Sequence, residues 1–262
     1  MNAVAIVLDP ALALGGLFGG FAVGLTGMGG GALLTPMLVL FFNVPAGAAV
    51  GTDLVASLVM KPVSGAVHLR QRTVRLDIVR WLCLGSIPGA LGGALLVSRL
   101  SQSVRDVVLL RGIAVALLVA AATMTLRMVR EHRSLVHRPV ADHGVRRAAT
   151  VALGLAGGVV VGLTSVGSGS LMIVVLTMLY PALSASELVG TDLVQAIPLV
   201  ATAALGHLLL GDVRLGLTTS LLVGAMPGAY LGARLSSSRT SRIVRPALIV
   251  LLVASGARLL TA

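Results

Sequence analysis

The chain has 262 residues, of which 56% are hydrophobic and 11% are charged, and its mean hydropathy is +1.01. A soluble domain of this size does not bury so large an apolar fraction, so the composition indicates a polytopic helical membrane protein. The formal net charge of +11 comes from short basic clusters between apolar runs, which are typical of topology signals. A nucleic-acid-binding protein would need a contiguous basic face with aromatic residues, which make up only 3% of this chain.

The first hydrophobic segment is expected to stay in the mature protein. No Lys or Arg precedes Lys61, so the basic region of a signal peptide is missing. Cys83 is the only cysteine and lies in an apolar run, where it is expected to pack as a small hydrophobic residue. A disulfide within the chain and a thiolate metal site are therefore excluded.

Apolar segments follow one another along the chain at 11–43, 46–69, 78–98, 104–126, 148–181, 184–209, 213–235 and 243–261. The first and the fifth are too long for one ordinary span, since at 1.5 Å per residue each helix would exceed ~45 Å against a hydrocarbon core of ~30 Å. Each contains a glycine-rich stretch near its middle, at 24–31 and at 162–169. We expect each segment to break there into a hairpin of two half-helices.

Two explanations fit the glycines at these positions. Glycine clusters allow close helix–helix contacts. They also let the backbone leave the helix, which a bilayer tolerates only where that backbone is buried in protein or lines a polar cavity. Two copies at corresponding places in two halves favour the second explanation, a binding site at the interface of two repeats.

The two halves of the chain repeat. The sequence Gly-Thr-Asp-Leu-Val at 51–55 recurs at 190–194. At the same offset, rarer residues recur as well: His68 as His207, and Pro88 as Pro227. Because Asp, His and Pro are rare in this chain, composition does not explain these matches.

The repeat predicts three regions: a first transmembrane repeat at 1–128, a cytoplasmic basic linker at 129–147 and a second transmembrane repeat at 148–262. If each glycine-broken hairpin enters and leaves on one side, each repeat has three full crossings and the second copy is inverted. Both termini then lie outside. The positive-inside rule favours this arrangement over parallel repeats, because it places more of the arginine clusters in the cytoplasm.

Lys61 is the only lysine and lies deep in the apolar segment 46–69. A cation at that depth costs several kcal/mol unless it is paired or hydrated. It could snorkel to the surface or neutralise a carboxylate, but its central position makes snorkelling difficult. We therefore expect Lys61 to bind an anion. Its counterpart in the second half is Val200, which makes the expected site asymmetric.

Asp53 and Asp192 fall in the second turn of their predicted helices. A carboxylate near a helix N-terminus compensates the helix dipole, which contributes under ~1 kcal/mol at an exposed end. A carboxylate that faces the glycine breaks could instead take up and release a proton during transport. Compensation of the helix dipole is a strong explanation for both residues. The alternative, uptake and release of a proton, makes Asp53 and Asp192 candidates for proton coupling.

The second glycine stretch carries more hydroxyl groups than the first. Hydroxyls and exposed N–H groups at the N-termini of half-helices suit an anionic oxygen ligand. We expect the substrate to contact Thr26, Gly27, Gly29, Gly30, Gly31, Lys61, Thr164, Ser165, Gly167, Ser168 and Gln195.

Other features have structural explanations. Glycines with four-residue spacing predict close helix packing at Gly85, Gly89 and Gly93 and at Gly224, Gly228 and Gly232. His68 and His207 end their helices and are expected to meet C-terminal carbonyls or lipid headgroups.

Several of these motifs together resemble the TauE/SafE family of membrane transporters, often called sulfite exporters. The motifs are Gly-Met-Gly-Gly-Gly at 27–31 followed by Pro36, Gly-Thr-Asp-Leu at 51–54, the Pro88 helix, and the repetition of this pattern. The resemblance covers nearly the whole chain. It implies transport of sulfite, of sulfonates such as sulfoacetate, or of related small organic anions across the bacterial plasma membrane. The second copy departs from the pattern, because serines replace glycines and Val174 stands in place of the proline.

The sequence therefore predicts an all-α polytopic membrane protein that exports a small anion as a secondary transporter. A non-sulfur carboxylate is an alternative substrate. An intramembrane enzyme or an assembly subunit is an alternative class, but His, Glu and Asp do not cluster at helical spacing as such an enzyme requires. We expect no cofactor and no metal, and a P-loop is missing. The expected partners are the anionic substrate and the bilayer, and no nucleic acid is expected. The protein could also form a homodimer.

Overall fold

The computed structural model describes residues 8–26, 30–133, 144–235 and 238–261, and within these ranges the protein is α-helical without strands. The helices are α1 (Pro10–Thr26), α2 (Leu34–Phe42), α3 (Ala46–Arg70), α4 (Leu76–Ser98), α5 (Gln102–Arg133), α6 (Arg147–Thr164), α7 (Ser170–Leu179), α8 (Ala185–Leu209), α9 (Leu215–Leu235) and α10 (Ser238–Thr261). Six segments, in α3, α4, α5, α6, α8 and α9, are long and apolar enough to cross a bilayer. The prediction of an all-α polytopic membrane protein is confirmed.

The helix ends follow local signals in the sequence. At the start of α8, the Ser184 hydroxyl accepts a hydrogen bond from the Glu187 N–H, and the Glu187 carboxylate accepts one from the Ser184 N–H. This capping box satisfies two backbone donors that the first helical turn leaves without partners. At the end of α2, Asn43 adopts a left-handed conformation with φ 50°, which a short polar side chain tolerates.

The two long apolar segments each form a helical hairpin. In the first, a Cβ on Gly19 of α1 would lie 2.4 Å from the Leu34 side chain at the start of α2, and one on Gly15 would lie 3.0 Å from the Phe42 ring at its end. In the second, the Tyr180 hydroxyl after α7 hydrogen-bonds the Thr150 hydroxyl in the first turn of α6. In both cases the second helix runs back along the first, so the chain turns at the glycine-rich stretch.

Glycines hold the two halves of the chain together. A Cβ on Gly20 of α1 would lie 2.2 Å from the Ala225 carbonyl oxygen of α9, and one on Gly89 of α4 would lie 2.4 Å from the Leu155 carbonyl oxygen of α6. Real Cβ atoms do not approach backbone so closely, so these helices pack directly through their backbones. The first helix of each hairpin therefore packs on the glycine-rich, proline-containing helix of the other half.

Helices α3 and α8 run antiparallel through the middle of the protein. Gly51 near the start of α3 lies beside Asp212, which follows α8, while Gly190 near the start of α8 lies beside Thr73, which follows α3. Since α3 and α8 carry the repeated Gly-Thr-Asp-Leu-Val motif, corresponding helices point in opposite directions. An inverted repeat requires this relation, and the assignment of sides to the membrane stays a prediction.

Cysteine labelling tests that assignment. In a Cys83→Ala background, we expect Gln71→Cys to be labelled by an impermeant maleimide only from the cytoplasmic side and Arg214→Cys only from the outside. The reason is that the α3–α4 and α8–α9 turns lie at opposite ends of the protein when the halves are inverted. Labelling of both cysteines from one face contradicts the inverted arrangement.

Candidate functional site

One face of α3 carries the ionisable side chains of the candidate site. Asp53, Ser57 and Lys61 follow at four-residue intervals, which places them on the same face of the helix. Their exposed fractions are 0%, 5% and 5%, so this polar face points into the protein. Burying a carboxylate and an ammonium inside a membrane protein costs free energy. We therefore expect Asp53 and Lys61 to have a functional role.

The second glycine break ends α6 and reverses the chain. Ser165 caps α6 in a left-handed conformation with φ 58°. Gly167 and Gly169 have φ of +116° and +119°, which L-residues with a side chain rarely adopt. The Thr164 hydroxyl donates to the Val160 carbonyl and accepts the Val166 N–H at 3.2 Å. Thr164 therefore stabilises the break locally.

The two glycine breaks meet beside Asp53. A Cβ on Gly31 would lie 2.1 Å from the Ser165 carbonyl oxygen and 3.1 Å from Asp53 Oδ2. The hydroxyls of Thr35 and Ser165 are hydrogen-bonded at 2.6 Å, which joins the first turn of α2 to the end of α6. Glycine is required at Gly31 because any side chain would overlap the backbone of the other break.

Lys61 reaches the second break. Its Nζ donates a hydrogen bond to the Ser168 hydroxyl at 2.6 Å. Within the described ranges it forms no ion pair, although it interacts electrostatically with Asp192 and Asp53 over a longer distance. An ammonium has three donors, so the Ser168 contact leaves Lys61 able to bind a further acceptor.

A cavity of about 550 Å³ begins at Lys61 and opens on the protein surface. Its buried end contains Gly30, Ser57 and Lys61, whereas the side chains of Val63 and Tyr230 at its mouth are 62% and 56% exposed. The remaining lining residues come from α1, α3, α8 and α9: Val23, Gly24, Met60, Ser64, Val67, His68, Val189, Leu193, Met226, Ala229 and Ala233. The cavity thus combines apolar walls with one cation at its base.

Of the residues predicted at the site, Gly30 and Lys61 line this cavity, and the other described ones lie outside its lining. Asp192 is 1% exposed, and its Oδ1 has no hydrogen-bond partner among the described residues. Gln195 is fully buried and donates through Nε2 to the Ser86 hydroxyl of α4 at 2.8 Å. The structure therefore brings Gly30, Gly31, Lys61, Ser165, Ser168 and Asp53 together, while Gln195 points to another helix. Gly27, Gly29 and the Thr26 side chain fall outside the described residues.

Sequence reasoning missed Thr35 and Ser57. Ser57 lies one helical turn from both Asp53 and Lys61, and this spacing could have placed it on the polar face. No comparable signal marks Thr35, because its contact with Ser165 joins residues 130 positions apart.

His207 forms a second buried polar network. It is fully buried, and its Nε2 lies 2.9 Å from the Gly162 carbonyl oxygen in α6, so it contacts a neighbouring helix and not the lipid headgroups. Its Nδ1 lies 3.0 Å from the Asp212 carboxylate, which also pairs with Arg105. These contacts join α8, α6 and α5 away from the cavity.

The comparisons with known proteins agree with a transporter. A family model described as sulfite exporter TauE/SafE matches residues 12–259. The chain is 34% identical over 260 residues to a Bacillus subtilis protein named "Probable membrane transporter protein YjnA", with 97% of this chain and 100% of that protein covered. It is 28% identical to "Probable membrane transporter protein YdhB" of the same species, with 92% and 96% covered.

No solved structure matches the chain significantly. The matched family and relatives are membrane transporters and not enzymes, and they extend over nearly the whole length of this protein. The chain therefore belongs to the TauE/SafE sulfite exporter family.

Proposed function

We propose that the protein is a secondary transporter that exports a small organic anion, with organosulfonates such as sulfoacetate as the preferred substrates. The observation that carries this proposal is the position of Lys61, a buried cation at the base of a surface-open cavity and at the junction of two broken helices. Half-helix ends at the interface of two repeats are where secondary transporters bind their substrates. The site is proposed to work in the inner membrane of a bacterium.

The anionic group is proposed to bind beside Lys61, next to the second break. Lys61 supplies a positive charge, and Ser168 supplies a hydroxyl that already contacts it. Backbone N–H groups at the start of α7 add donors at the positive end of a helix dipole. A sulfonate or carboxylate can accept several hydrogen bonds from these groups. The hydrogen bonds take the place of those that water makes to the free anion.

The cavity favours an organic anion over bare sulfite. Its volume of about 550 Å³ is much larger than a four-atom oxyanion, which takes up the space of a few waters at ~30 Å³ each. Most of its lining is apolar, including Val63, Leu193 and Met226. Apolar walls stabilise a hydrocarbon body by removing it from water. Sulfite itself and non-sulfur carboxylates are the alternatives.

A co-transported cation is proposed to balance the charges. The buried region carries two negative charges, on Asp53 and Asp192, and one positive charge, on Lys61, when all three groups are ionised. Adding an anion increases the negative charge in a medium of low dielectric constant, where it is strongly disfavoured. Uptake of one cation at a carboxylate, a proton or a metal ion, removes this excess.

Flux into proteoliposomes tests the function. The panel contains sulfite, sulfoacetate, a longer alkyl sulfonate and a carboxylate of matched length. We expect saturable transport with sulfonates ahead of sulfite, and recovery of each substrate chemically unchanged. Empty liposomes and liposomes with Lys61→Met protein are the controls. Absence of flux for every anion contradicts the proposed function, and a chemically altered product would point to an enzyme.

A further inference from the structure

We propose that Asp53 binds a sodium ion at the junction of the two glycine breaks, together with the Ser165 carbonyl oxygen and nearby hydroxyls. This inference rests on the proposed anion transport and specifies its coupling cation. It divides the buried polar region into two subsites. The cation subsite contains Asp53, Gly30, Gly31 and Ser165, and the anion subsite contains Lys61 and Ser168.

The Asp53 carboxylate needs a partner that the described residues do not provide. It is fully buried, and neither of its oxygens has a hydrogen-bond partner among them. The hydroxyls of Ser165 and Thr35 are close enough to interact electrostatically but fall short of hydrogen-bond geometry. A buried charge without a partner is costly, so this group must bind either a proton or a metal cation.

Two glycines let the backbone of the first break pack against this carboxylate. The position that a Cβ on Gly30 would occupy lies 3.0 Å from Asp53 Oδ1 and 3.3 Å from Ser57 Oγ. The corresponding position on Gly31 lies 3.1 Å from Asp53 Oδ2 and 2.1 Å from the Ser165 carbonyl oxygen. The carboxylate and hydroxyl oxygens of α3 and the carbonyl oxygen of the second break therefore lie around the same two glycines.

These donors suit a hard monovalent cation. Oxygen ligands of this kind select hard metal ions over transition metals. One carboxylate with neutral oxygens balances a single positive charge, and among the described residues no three His, Cys, Asp or Glu side chains come together. The Ser165 carbonyl also lies at the C-terminal end of α6, where the dipole is negative, and transporters coordinate sodium at such helix ends.

The second half does not provide an equivalent subsite. Asp192 is the counterpart of Asp53, but Ala196 stands where Ser57 stands in the first half. Lys61 interacts electrostatically with both carboxylates. The difference between the halves therefore lies in the Ser57 hydroxyl and in the oxygens of the second break near Asp53. Lys61 lies two helical turns, ~12 Å along the axis, beyond Asp53, so a bound sodium also attracts the anion.

Binding of radioactive sodium to the purified full-length protein tests the inference. In choline buffer at constant ionic strength and pH, we expect saturable sodium binding to the wild type. Asp53→Asn should abolish it, while the matched variant Asp192→Asn should retain it. Ser57→Ala should weaken sodium binding without loss of the folded protein, which keeps the test valid if Asp53→Asn fails to fold. No saturable binding to the wild type, or unchanged binding in both Asp53→Asn and Ser57→Ala, overturns the inference.

Lys61→Met separates this inference from the proposed function. We expect it to lose anion binding and keep sodium binding, because Lys61 provides none of the sodium ligands. Sulfonate flux driven by a pH gradient, with no response to sodium, overturns the sodium site and leaves anion transport standing. Saturable sodium binding in a protein that moves none of the anions supports the site and contradicts the proposed function.

Discussion

Lys61→Met is expected to abolish anion transport while the protein still folds and inserts. The change removes the single buried cation of the cavity and the hydrogen bond to Ser168. A hydrogen bond to a charged group contributes about 1.5–3 kcal/mol, so anion affinity should fall ~10- to 150-fold. Folding should survive, because methionine fills a similar volume and a buried carboxylate can bind a cation once its counter-charge is gone.

The measurements are sulfonate affinity by titration calorimetry, flux in proteoliposomes and melting temperature in detergent. Lys61→Ala should behave like Lys61→Met in binding. Lys61→Arg is the matched control, since it keeps the charge but changes the shape of the donor, and it should retain part of the affinity. Wild-type affinity in Lys61→Met would mean that Lys61 is structural and that backbone dipoles alone hold the anion.

The general architecture follows from composition and periodicity. Long apolar runs with few charges predict membrane-spanning helices. A bilayer has no hydrogen-bond partners for backbone groups, and a helix satisfies these groups internally. The excess length of segments 11–43 and 148–181 against the bilayer thickness predicted the breaks, and the structure turns the chain at both. Glycines with four-residue spacing predicted backbone contact, which Gly89 makes with α6. The helices, their breaks and their close contacts depend on local sequence and on the thickness of the bilayer.

The site could be predicted only in part. Lys61 and Asp53 are recognisable because ionisable residues are rare in apolar helices. The pairing of Thr35 with Ser165 and the direction of Gln195 could not be predicted, because both depend on how the two halves pack. The sequence also shows two equivalent carboxylates, whereas only the structure shows that Asp53 lies against Gly30, Gly31 and the second glycine break.

Two kinds of glycine in this protein should respond differently to alanine. A Cβ on Gly89 would lie 2.4 Å from the Leu155 carbonyl oxygen, which belongs to the backbone of α6 and cannot move by itself. A Cβ on Gly30 would meet side-chain atoms instead, Asp53 Oδ1 and Leu34 Cδ1 at 3.0 Å and Ser57 Oγ at 3.3 Å. Side chains can shift by the few tenths of an ångström required, so only Gly89→Ala must separate two helices.

We therefore expect Gly89→Ala to lower stability and flux together, at a cost typical of overpacking, ~1–3 kcal/mol. Gly30→Ala should keep a near-normal melting temperature, since alanine also favours ordered backbone by ~1 kcal/mol over glycine. It should nevertheless remove flux, because the methyl group fills the space between Asp53 and Ser57 at the base of the cavity. Both variants are measured for thermal unfolding and for sulfonate flux at equal reconstituted amounts. Full flux in Gly30→Ala would show that the first glycine break serves only packing, and that the substrate and its coupling cation bind elsewhere.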